Sequence, residues 1–147
     1  PIRLGGEHLE AKEFLKTVYW SEKEVNSLRN ELRQVEATLL SSPSWSDMKV
    51  QTSGMQSTDD TYVQMMKIRE RLMNQISHTV MMRDKASQMI SRVPDEKQRF
   101  VLRERYLNRR DWVEISDDLL RSRSQIYRIH GFGLLAFKEI FKKEAIG

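Results

Sequence analysis

Apolar residues recur along the first quarter of the chain at alternating steps of three and four. The series is Ala11, Phe14, Val18, Ser21, Val25, Leu28, Leu32, Val35 and Leu39, apolar at eight of its nine positions. That period keeps one helix face turned toward a partner. Glu22, Lys23, Glu24, Arg29, Glu31, Arg33 and Glu36 fall between as a mixed solvated face. No Gly or Pro intervenes before Pro43, so the spacing predicts a helix from Glu7 to Leu40. It would be about 50 Å long at ~1.5 Å per residue. Pro1 to Gly6 is expected to be a flexible leader.

Ser41 to Thr58 breaks the pattern with Pro43, Gly54 and a run of serines. It reads as a long polar loop. Loops above about 12–15 residues are uncommon unless functional or mobile. Trp45, Met48 and Val50 are expected to pin it back on the hairpin; the other reading is contact with a partner. A second helix is predicted to start near Asp59 or Asp60, either of which can cap free N–H groups, and to run toward Arg92. Its apolar residues, from Tyr62 to Ile90, cover more than one stripe. One stripe suffices to pack on the first helix. The surplus calls for a further partner, either the C-terminal segment or a second copy of the chain. All eight Met fall between Met48 and Met89, which reads as adaptable core filling.

Val93–Pro94 ends the hairpin, because proline disfavours helical angles in the residue before it. Pro94 fits the first turn of a new helix, and Asp95 and Glu96 favour its positive end. The pattern then predicts three elements. Asp95 to Asn108 is an amphipathic helix carrying Phe100, Val101, Leu102, Tyr106 and Leu107. Asp111 to Leu119 is a short helix with Asp111 as cap and Trp112, Val113, Ile115 and Leu119 at core spacing. After the corner Leu120–Arg121–Ser122, a third helix opens on Ser122–Arg123–Ser124–Gln125, an S-x-x-Q capping box. The reading is therefore all-α: a long antiparallel helical hairpin (residues 7–92) followed by a C-terminal helix-turn-helix unit (93–147).

Charge changes the picture only when it is divided. The formal net charge of the 147 residues is +4. Residues 1–91 carry 12 cations and 12 anions, whereas residues 92–147 carry 13 and 9. The whole excess lies in the second part. Most of its cations are arginines: Arg92, Arg99, Arg103, Arg105, Arg109, Arg110, Arg121, Arg123 and Arg128. Arginine suits bidentate contact with phosphate and guanine, so double-stranded DNA is the expected partner. In a helix-turn-helix the second helix presents its N-terminal residues to base edges in the major groove. With Ile126 and Ile129 inward, Arg123, Ser124, Gln125, Tyr127 and Arg128 remain outside. Ser122 can offer the helix N-terminus to a phosphate. Arg109, Arg110 and Arg121 complete the candidate DNA-binding set.

The stretch Phe100–Phe141 resembles the fourth region of sigma-70-type factors. It is more closely similar to phage regulators of the ArpU and RinA type. The matching residues are Leu102–Arg103–x–Arg105–Tyr106, Trp112–x–Glu114–Ile115 and Ser122–x–x–Gln125–Ile126–Tyr127–Arg128–Ile129–His130. The resemblance implies a transcription regulator of phage late genes, with Arg123, Ser124, Gln125, Tyr127 and Arg128 at recognition-helix positions. It also implies host RNA polymerase as a further partner and the bacterial host cytoplasm as the location. Two features depart from the pattern. The corner has Leu120 where Gly is usual, which leaves the interhelical angle open. Gly131 and Gly133 each cost about 1 kcal/mol against Ala in a helix interior. By the resemblance they serve close packing; the other reading is a kink or break near Gly131. Downstream, Phe132, Leu134, Leu135, Phe137, Ile140 and Phe141 are too many apolar groups for one face, so this tail is expected to pack on the hairpin or a second subunit.

Catalysis finds no constellation here. There is no Cys, which fits a reducing compartment. His8, His78 and His130 lack metal-ligand spacing, and His130 reads as a packed or groove-edge residue. No phosphate-binding glycine loop or nucleophile elbow occurs. No enzyme, cofactor, metal or membrane span is expected. A homodimer is expected. Two rivals stand beside the regulator: a small DNA-packaging (terminase) subunit, and a protein-binding inhibitor or adaptor reusing the same fold.

Overall fold

The computed structural model describes residues 7–40 and 53–146. The expected leader, and Trp45, Met48 and Val50, lie outside them. Among the described residues every element is helical: α1 Glu7–Leu40, α2 Ser53–Ser91, α3 Glu96–Leu102 with a π-helical turn Arg103–Leu107, α4 Trp112–Leu119 and α5 Arg123–Ile146. The protein is all-α, a long antiparallel hairpin followed by a helix-turn-helix unit. The α1 limits are those that the heptad pattern predicts. Helix α2 starts at Ser53, earlier than expected, so Asp59 and Asp60 lie inside it, exposed, and cap nothing. Gly, Ser and Thr in residues 53–58 lower helix propensity by only about 0.5–1 kcal/mol each, too little to stop a long helix.

Packing divides the chain into two units, residues 1–21 with 80–147, and residues 22–79. Neither the charge boundary at residues 91–92 nor the predicted end of the hairpin at 92–93 is thus a packing boundary. In the second unit, Val25 of α1 and Met65, Ile68 and Leu72 of α2 are buried, and Arg69 pairs with Glu36 at 3.2 Å. Two helices can bury only one stripe each. Tyr62, Val63, Met66 and Met73 are accordingly left exposed, each by more than half.

In the first unit the C-terminal helices cover what two helices cannot. One core joins Ala11, Leu15 and Val18 of α1, Ala86, Met89 and Ile90 of α2, Leu102, Tyr106 and Leu107, and Leu134 and Phe137 of α5. Phe137 is fully buried, worth about 2–3 kcal/mol of transfer free energy, and it stacks on Phe14 at 6.5 Å. Leu15, outside the predicted seam, is also fully buried. It faces this added layer, which a two-helix pattern does not foresee. The tail thus packs on the hairpin through Leu134, Phe137, Ile140 and Phe141, while Phe132 and Leu135 stay exposed. Helix α5 runs unbroken through both glycines. A Cβ on Gly133 would meet Leu102 Cγ at 3.3 Å, so this glycine lets α3 and α5 approach closely.

Pro94 precedes α3 instead of opening it. Asp95 is the cap, its carboxylate accepting from Gln98 N–H at 2.9 Å. Nothing in the periodicity of this stretch marks the π turn. Asn108 N–H reaches back five residues to Arg103 O at 3.0 Å, and the extra residue re-aims the side chains after it. Arg103 then reaches Ser87 and Ser91 Oγ on α2 at 2.8 and 2.9 Å. Arg83 of α2 donates to the terminal carbonyl of Leu107 at 2.6 Å, filling an acceptor that helix ends leave open.

Candidate nucleic-acid interface

Helix α4 begins with a full capping box, in which Asp111 accepts from Glu114 N–H and Glu114 accepts from Asp111 N–H, at 2.9 and 3.1 Å. It ends at Leu120, in the left-handed region with φ 51° and ψ 45°. Leu120 N–H bonds Asp117 O at 3.2 Å and Arg121 N–H bonds Ser116 O at 3.1 Å. This is the Schellman closure. Leucine therefore adopts the angle usually given to glycine, and its side chain is 90% exposed. The corner leads directly into the Ser122–Gln125 box: Gln125 N–H donates to Ser122 Oγ at 3.3 Å, and Ser122 N–H to Gln125 Oε1 at 3.1 Å.

A small core sets the rotation of α5. Ile126 is fully buried with Val101 and Ile115, and Phe100, Trp112, Leu119 and Ile129 pack around them. Ile126 inward turns Arg123, Ser124, Gln125, Tyr127 and Arg128 outward, and all five are exposed, as are Ser122 and Arg121 beside them. Val113, expected in the core of α4, is instead 43% exposed and takes no part in the cluster around Ile126.

Arginine is not uniform in this region. Arg92 pairs with Glu144. Arg99 donates to Val93 and Pro94 carbonyls at 2.7 and 2.9 Å. Arg103 holds two serines. Arg105 lies over the Trp112 and Tyr19 rings at 4.7 and 5.3 Å. Arg110 bonds Glu104 at 3.0 Å and Asp118, with Glu114 at 3.9 Å. Hydrogen bonding to Asp118 and Glu104 raises the Arg110 pKa further, and the same guanidinium lowers that of Asp118. Arg110, a candidate DNA contact, is thus turned into the protein, where it ties the end of α3 to α4. Arg109 is half-buried, with φ 56°. Among the described residues Arg121, Arg123 and Arg128 are in no ion pair, and these three sit at the corner and on the outward face of α5. Glu114, Asp117 and Asp118 make the exposed side of α4 acidic, in contrast to the corner and the outward face of α5.

An aromatic cluster fixes the base of this face. Trp112 meets Tyr127 edge-on at 5.2 Å and His130 at 4.8 Å. His130 Nε2 is hydrogen-bonded to Tyr106 Oη at 2.9 Å. Burial pushes the His130 pKa down to about 4, with Lys12 and Arg105 adding repulsion. Burial pushes Tyr106 up to about 12, opposed by Arg105 and assisted by Glu13. Both are therefore neutral near pH 7. Trp112 orients Tyr127 from below while leaving it half exposed. No sequence signal joins Tyr106 to His130, which lie 24 residues apart.

Among the described residues no group of three His, Cys, Asp or Glu side chains could hold a metal ion, and no helix is long and apolar enough to cross a membrane. The family profile described as "Protein of unknown function (DUF1492)" matches residues 39–137. The match takes in the corner and the outward residues of α5. No match is found among curated proteins or among solved structures.

Proposed function

We propose that this chain, which belongs to the DUF1492 family, is a sequence-specific DNA-binding transcription regulator that reads the major groove with α5. One observation carries the reading. At the capped start of α5, exposed Arg121, Arg123 and Arg128 stand together with Ser124, Gln125 and Tyr127, while most other arginines of the region are engaged within the fold by ion pairs, hydrogen bonds or ring contacts. Arg pairs with guanine, Gln with adenine, and Ser with bases or phosphate. The capping box occupies the Ser122 and Gln125 N–H groups, which leaves those of Arg123 and Ser124 at the helix start for a phosphate. The likeness to phage regulators of the ArpU and RinA type supports late-gene control in a bacterial host cytoplasm, with host RNA polymerase as a second partner.

A homodimer completes the reading. The exposed apolar face of α2, with Tyr62, Val63, Met66 and Met73, supports self-association, and two-fold proteins read two half-sites about 34 Å apart. The test is selection from random duplex DNA by the full chain. The expected result is an enriched palindrome; no enrichment would refute the DNA reading and leave a protein-binding adaptor in its place.

A further inference from the structure

The two glycines of α5 stand in opposite surroundings. Gly133 is buried against Leu102 and Gln98. Gly131 is exposed, and a Cβ placed on it would meet nothing within 4 Å. Its φ is not positive, so its backbone is one that alanine adopts freely. Within the protein, neither packing nor conformation explains a residue that weakens the helix it sits in.

Its position on the helix points outward. Steps of four, three and four place Ser124, Arg128, Gly131 and Leu135 on one line of α5, and all four are exposed. The line lies opposite Ile126 and Phe137, which are fully buried. Gly131 is therefore one turn beyond Arg128 on the face that the proposed function turns to DNA. A helix residue without Cβ on a contact face admits close approach of a ligand to the backbone.

We propose that the DNA-facing surface of α5 extends to Gly131, where the missing side chain sets how closely the helix approaches the duplex. The inference rests on the DNA reading and deepens it: α5 lies along the groove over more than two turns, at ~3.6 residues per turn, and does not touch it only with its first. Phe132, 56% exposed beside this line, supplies an apolar surface of the kind that meets a thymine methyl. A second copy of α5 is a poorer occupant. Two α5 helices crossing at Gly131 would hold their Gln125 backbones about 20 Å apart at most, at ~1.5 Å per residue and ~8–10 Å between axes. Half-sites read by a two-fold protein need about 34 Å.

Gly131→Ala separates the fold from the contact. The melting temperature of the variant should match or exceed that of the wild type. Its affinity for the selected duplex should fall about tenfold or more, as an intruding methyl in a packed interface does. Arg128→Ala serves as the binding control, and sedimentation gives the oligomeric state. Wild type that binds, is weakened by Arg128→Ala and is indifferent to Gly131→Ala would overturn this inference alone. A lower melting temperature, or loss of a dimer in Gly131→Ala with binding per monomer retained, would also overturn it. Wild type that selects no DNA would overturn the DNA reading and this inference with it.

Discussion

Acid should loosen the helix-turn-helix unit through His130. The imidazole is wedged between Trp112 and Tyr106, and burial, with Lys12 and Arg105, lowers its pKa from 6.5 to about 4. A depressed histidine pKa means that the unfolded chain takes up the proton first. Its contribution to stability is fully present above pH ~6.5 and is lost as pH falls toward 4. At ~1.36 kcal/mol per pKa unit, the loss amounts to about 2 kcal/mol by pH 5 and about 3 kcal/mol by pH 4. Asp118, whose pKa Arg110 lowers, begins to lose its contribution only at the acid end of this range. The assay is urea unfolding of wild type and His130→Gln between pH 7.5 and 4.5. His130→Gln loses contacts and should be less stable at pH 7.5, but its stability should fall less steeply with acid. The gap between the two should shrink by about 2 kcal/mol toward pH 5. Parallel curves would refute the reasoning, because a buried neutral imidazole cannot leave the slope unchanged.

Leu120→Gly should raise stability by about 0.5–1 kcal/mol: relief of the left-handed angle is worth about 1–2 kcal/mol and the added unfolded-state freedom takes back about 0.5–1. Leucine at 90% exposure loses no packing, so a lower melting temperature would mean the side chain has a role the corner geometry does not reveal. Ile126→Ala should cost about 2–5 kcal/mol, since Ile126 is fully buried between Val101 and Ile115; a melting curve within a degree of wild type would contradict that packing. Arg123→Ala and Arg128→Ala should each weaken specific binding by about 1–3 kcal/mol where they meet a base, measured by titration of the selected duplex. Unchanged binding by both would remove α5 as the reading helix. Affinity should also fall steeply with salt as counterions are released, and a flat response would exclude phosphate contact.

The linear pattern of the chain gives much of its local structure. The three-four spacing from Ala11 to Leu39 gives α1 its limits. Asp111 and the Ser122–Gln125 pair mark the starts of α4 and α5, because caps are satisfied by residues three apart. The inward pair Ile126 and Ile129 sets which residues of α5 face out. These are short-range effects, complete within a turn or two of helix. Tertiary structure decided what depends on partners far along the chain. It buried Leu15 beneath α5, formed the π turn, and joined Tyr106, Trp112 and His130. It also sorted the arginines, which a charge count treats alike. Arg103 and Arg110 are held by serines and carboxylates, while Arg121, Arg123 and Arg128 remain outward. A guanidinium's role is set by which acceptors lie within about 3 Å of it, and for most of these residues that depends on how separate helices come together.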